Sequence, residues 1–194
     1  MRAFSFVRCL PPLLFLLAPL PAQAAVTITF WSHDFGREFP HAFFTLRGRP
    51  DAGGAYVDAN YGFTARSVSP GILWHSVPGR LDSEKRDYLE RSEAQFSLVL
   101  SDAQYAAVVA MFAGWDPRTG NGQYNMASRN CVHFVAEAAR RIGLAGTVQP
   151  ELMKKPGAYL LAVEAANVGR VTPVNLPGVR YLSRFTPPAI ATRP

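Results

Sequence analysis

Cysteine is nearly absent from this chain: there are two in 194 residues, Cys9 and Cys131. Cys9 lies in an N-terminal stretch that reads as removable, so Cys131 is left alone and no intrachain disulfide can form. Zinc-finger-type sites need several Cys or His ligands at short spacing, so they are excluded; neither a metal nor a cofactor is expected. The chain has no internal repeat and no low-complexity tract beyond a mildly Pro-rich tail. It has no long apolar run, because Leu10 to Leu20 is broken by prolines and too short to span a bilayer as an ordinary helix. No stable membrane insertion is expected. No basic cluster is interleaved with aromatics, which makes nucleic acid the weakest class of partner.

The first residues have the form of an export signal. Arg2 and Arg8 give a positive start, and Ala22-Gln23-Ala24 is a small-x-small cleavage site. The expectation is a signal peptide over 1–24, cut before Ala25, and a periplasmic or secreted bacterial protein. Residues 25–170 then form one domain. Residues 171–194 form a Pro-rich segment that packs on it or is partly disordered. Charge is uneven: residues 25–117 hold 8 basic and 11 acidic groups, residues 118–194 hold 10 and 3. A basic C-terminal half favours anionic partners, among them cell-wall peptides with free carboxylates. Nothing in the pattern asks for an oligomer, so a monomer is expected.

Alternation of β-branched and aromatic residues predicts strands over 26–31, 41–47, 55–65 and 94–100. The Gly- and Pro-containing stretch 48–54 makes the second and third a hairpin. Residues 68–80 read mostly as loop around Ile72-Leu73-Trp74. Ser101 or Asp102 caps a helix over 103–113, whose Tyr105, Val108, Val109 and Phe112 recur at helical spacing. A second helix starts near Asn130 and runs to Ile142, with Gly143 as its stop. A third spans 157–167, and the tail offers strands at 170–174 and 179–183. The fold class is α+β: a small antiparallel sheet with packed helices.

Cys131 falls in the first turn of the second helix. There, unpaired amides and the helix dipole stabilise an anion and lower a thiol's pKa. A nucleophilic cysteine needs a base within reach and a group to orient it. His133 is about 200° away around the helix and points elsewhere. No histidine follows it, so the base comes from upstream: His41, at a strand start, before His33 or His75. With the turn centred near Asp51, residue 41 lies opposite 60–61, which makes Asn60 the orienter and Asp58 the fallback.

The order of these pieces carries a resemblance. Pro40-His41-Ala42-Phe43-Phe44 with Leu46-Arg47-Gly48 precedes Asn130-Cys131-Val132-His133-Phe134-Val135. This resembles the circularly permuted branch of the NlpC-type papain-like superfamily, in particular its lecithin:retinol acyltransferase-like members. The resemblance covers residues 26–145. It implies a permuted papain-like fold with Cys131 as nucleophile, His41 as base and a polar residue on the next strand as orienter. The retinol acyltransferase-like members carry a second histidine at that third place, where this chain offers Asn60. The branch includes peptidases, amidases, acyltransferases and thioesterases. The leading expectation is an exported cysteine hydrolase cleaving an amide bond in cell-wall peptides. The alternatives are acyl transfer or thioester hydrolysis on a lipid or acyl substrate, and a catalytically inactive papain-like binding module.

Overall fold

The structure, a computed structural model, describes residues 25–34, 39–67 and 70–185. The expected signal segment 1–24 and the last residues of the tail, 186–194, lie outside the described residues. The described residues begin with three strands: β1 (Val26–His33), β2 (His41–Gly48) and β3 (Val57–Ala65). A single 3-10 turn over Pro70–Leu73 leads into β4 (Val77–Asp82). Then come α1 (Arg86–Arg91), β5 (Glu93–Leu100) and α2 (Asp102–Trp115). A two-residue β6 (Gln123–Tyr124) precedes α3 (Cys131–Arg141), and α4 (Pro156–Ala165) follows. The described chain closes with β7 (Thr172–Pro177) and α5 (Gly178–Leu182).

Among the described residues, seven strands form one open antiparallel sheet in the order β6-β4-β3-β2-β1-β5-β7. Side-chain alternation divides it into two faces. One face turns Ile28, Phe30, Phe44, Leu46 and Phe63 toward helices α2, α3 and α4 in the main core. There Phe44 stacks on Phe134 with centroids 5.4 Å apart, and Phe63 meets Trp115 edge-on at 4.8 Å. The other face buries Trp31 and Phe43 under Leu89 of α1 and Tyr181 and Leu182 of α5.

The main hairpin folds as its alternation predicts, but with a different register. Phe43 pairs Gly62 and Thr45 pairs Asn60, so Asn60 is not opposite His41. The bend lies further along than Asp51, where Gly53 and Gly54 take φ of 97° and 120°, conformations that favour glycine. The Asp102 carboxylate holds the turn by accepting from the main-chain N–H of Asp51 (2.9 Å) and Ala52 (2.6 Å).

Four elements differ from expectation, the unpredicted two-residue β6 among them. The stretch read as loop contains β4, in which Pro78 and Gly79 pair with β6 and β3 near the sheet's edge. Proline is tolerated there because few ladder bonds are lost. Helix α1 had no counterpart in the prediction; it is short and buries only Leu89. The segment 179–183, expected as a strand, is α5. Its Tyr181 and Leu182 are both buried although adjacent, and an alternating strand cannot turn both to one face.

Candidate active site

Helix α3 places the cysteine. Asn130 is its N-cap: Oδ1 accepts from the N–H of Val132 (2.8 Å) and His133 (3.2 Å). The Asn130 amide nitrogen donates to the carbonyls of Met126 (2.9 Å) and Met153 (2.7 Å), which ties the helix start to two loops. At the other end Gly143, with φ of 80°, closes the helix: its N–H goes to Arg140 O and that of Leu144 to Ala139 O. Phe134, Val135, Ala138 and Ala139 bury one stripe against the sheet. Cys131 is thereby fixed as the first helical residue, against the start of β2.

Cys131 lines a cleft of about 650 Å³ together with His41, Glu84, Tyr124, Asn130 and Met153. Cys131 is only 6 % exposed. Burial pushes its thiol up to about 11, although the main-chain N–H groups of Ala42, Val132 and Cys131 itself pull the other way. The helix start therefore does supply the amides the sequence suggests, but the dry surroundings outweigh them, and the resting group is a neutral thiol.

His41 opens β2, next to the Ala42 amide that meets the sulfur. Strand alternation turns its ring toward Phe43, with centroids 5.9 Å apart, and toward Tyr88 of α1. The ring fits there because Gly62 has no side chain: a Cβ on Gly62 would lie 2.5 Å from His41 Nε2. Burial holds the imidazole down at about 4, against an ordinary 6.5; the charge of Asp82 opposes this fall and that of His33 adds to it. Nε2 is buried with no hydrogen-bond partner, and Glu84 Oε1 lies 3.6 Å from it. The contacts of the sulfur are with main-chain amides, and no hydrogen bond joins it to the His41 ring.

The remaining histidines go elsewhere. His33 pairs with His41 across β1 and β2; its ring packs on Tyr88 at 4.7 Å, with Nδ1 3.4 Å from Ser92 Oγ. His75 is exposed on the loop after the 3-10 turn. His133 Nδ1 accepts from the main-chain N–H of Asn130 (3.3 Å), the other half of the capping box, so it serves the helix end.

The structure brings Cys131 and His41 to one cleft and leaves Asn60 without contact to the imidazole. Asn60 instead binds the main chain of Glu84, with Nδ2 donating to its carbonyl (3.0 Å) and Oδ1 accepting from its N–H (2.5 Å). The fallback, Asp58, is exposed and chelated by its cross-strand neighbour Arg47. The carboxylate nearest the imidazole is Glu84, just past β4, which sequence reasoning missed. With 68–80 read as loop, nothing placed residue 84 beside residue 41.

Among the described residues, no group of three or more His, Cys, Asp or Glu is placed to hold a metal, and no helix is long and apolar enough to cross a membrane. Comparison of the chain with protein-family models, curated proteins and solved structures finds no match.

Proposed function

We propose that this chain is an exported thiol hydrolase of permuted papain-like arrangement, with Cys131 as nucleophile and His41 as base. The observation that carries the reading is the meeting of a helix-start cysteine and a strand-start histidine in one cleft, the sulfur touching the Ala42 amide next to that histidine. The pair rests neutral, so ionisation belongs to the reaction. The thiol proton passes to the imidazole, after a ring rotation or across one bridging water, as the sulfur attacks the acyl carbon. In this mechanism the Cys131 N–H donates to the oxygen that becomes negative. The imidazolium returns its proton to the leaving nitrogen, the C–N bond breaks, and water hydrolyses the thioester.

The first substrate class is the amide bond of cell-wall peptides, which suits export and a basic C-terminal half. Ile72 and Leu73 in the cleft wall favour a second substrate class, an acyl ester or thioester. The neutral pair without a sulfur–imidazole hydrogen bond favours a third reading, an inactive binding module.

One experiment sorts them. Wild type, Cys131→Ala and His41→Gln are incubated with muropeptides and with phospholipid or acyl-thioester substrates, and products and Cys131 adducts are read by mass spectrometry. Amide cleavage lost in both variants supports the main reading, and a Cys131 acyl adduct from lipid alone supports the second. Binding without turnover or adduct leaves the module and removes the enzyme.

A further inference from the structure

We propose that Glu84 is the positioning residue of the Cys131–His41 pair, selecting the imidazole tautomer, and that Asn60 acts through Glu84 by fixing its main chain. This deepens the reading above and rests on it.

The geometry around the ring is one-sided. Nε2 is enclosed, lacks a hydrogen bond, and has a carboxylate oxygen 3.6 Å away. An ionised carboxylate only accepts, so the nitrogen facing it carries the proton. The proton-free nitrogen is then Nδ1, which is left able to accept a proton. That is the tautomer a base needs if it is to take the thiol proton. Once it does so, a positive charge appears in a dry site, and a carboxylate on Nε2 offsets the cost.

The other charged groups around the ring do not fit this role. Asp82 does bear on the ring's charge, but its carboxylate is engaged by Arg80 at 2.7 Å, whereas that of Glu84 lies 3.6 Å from Nε2. His33, the cross-strand neighbour on β1, has the wrong sign when charged, and Tyr88 presents its ring from α1. Glu84 follows the end of β4, and both halves of the Asn60 amide bind its main chain. Gly62 leaves open the space beside Nε2.

The test reads the imidazole and the thiol without a substrate. In wild type at pH 7, nitrogen-detected NMR of His41 should show the Nε2–H tautomer; an Nδ1–H tautomer overturns the proposal. Glu84→Gln should slow the alkylation of Cys131 by iodoacetamide near neutral pH by roughly tenfold, the size expected for losing one charge at this range. Glu84→Asp should recover part of that loss. Asn60→Ala should slow alkylation in wild type but add nothing in the Glu84→Gln background, since both act on one group. Equal slowing in both backgrounds overturns the role given to Asn60. His41→Gln separates the two levels. If it slows alkylation while Glu84→Gln does not, only this inference fails; if it has no effect, the Cys131–His41 reading fails as well. Thermal unfolding of each variant shows that the fold is kept, and the wild-type tautomer decides even where a variant does not fold.

Discussion

Acid should unfold this protein through His41, and the size of the effect follows from its burial. The ring is 8 % exposed and held at about 4, whereas in an unfolded chain it titrates at 6.5. A group whose folded pKa is depressed stabilises the fold above its unfolded pKa, and that stability is lost as pH falls through the folded value. The window here runs from 6.5 down to about 4. At 1.36 kcal/mol per pH unit, the loss is about 2 kcal/mol by pH 5 and about 3 kcal/mol by pH 4. Against a typical total of about 5–15 kcal/mol this is a large share. The assay is urea unfolding at pH 7, 6, 5 and 4 for wild type and His41→Gln. Gln has no proton to gain, so it removes this part of the slope. It also packs less well than the ring it replaces in a buried site, which lowers the plateau at pH 7 but not the difference in shape. The two stability curves should converge by about 3 kcal/mol between pH 7 and pH 4. Curves that stay parallel over that range would refute the claim that burial of a neutral imidazole dominates.

Three further outcomes are expected. Gly62→Ala places a Cβ 2.5 Å from His41 Nε2, so it should cost about 1–3 kcal/mol in urea unfolding and displace the His41 and Tyr88 ring resonances. At high pH, Cys131 works in the opposite sense. Its thiol, raised from 9.0 to about 11, contributes stability that is present below pH 9 and lost through pH 11, roughly 3 kcal/mol in all; Cys131→Ala should flatten that alkaline loss. Asn130→Ala removes a cap that also bonds two loop carbonyls from a buried position. It should cost about 2 kcal/mol or more, and it should speed amide exchange at Val132 and His133.

The parts of the fold that were legible from the sequence are those where a residue's surroundings are fixed by its near neighbours. Strands β1, β2 and β5 could be read because Ile28 and Phe30, Phe44 and Leu46, or Phe96 and Leu100 alternate into one core. Helix α3 could be read because Asn130 and Gly143 mark its ends. Strand β4 was hidden because Pro78 and Gly79 argue for a loop, and only the neighbouring strands make them acceptable. The hairpin register turned on which residues take the bend. Gly53 and Gly54 carry it, and Asp102, some 50 residues away, helps to fix it. From that register followed the misplacement of Asn60. The strength of desolvation around Cys131 was also invisible, because it comes from packing between β2, α3 and loops distant in sequence. Helix position alone argued for a lowered thiol, and burial won.

The hydroxyls of Thr29 and Tyr181 meet at 2.8 Å, joining residues 152 positions apart. Trp31 and Phe43 are covered by that same late segment. A ribosome delivers the chain from one end, so the central strands exist long before their cover does. Until residue 182 has emerged, the indole and phenyl on one side of the growing sheet have only α1 over them, and such surface is what chaperones seize and aggregates grow from. Shortening the gene to end before Gly178 would make that transient condition permanent.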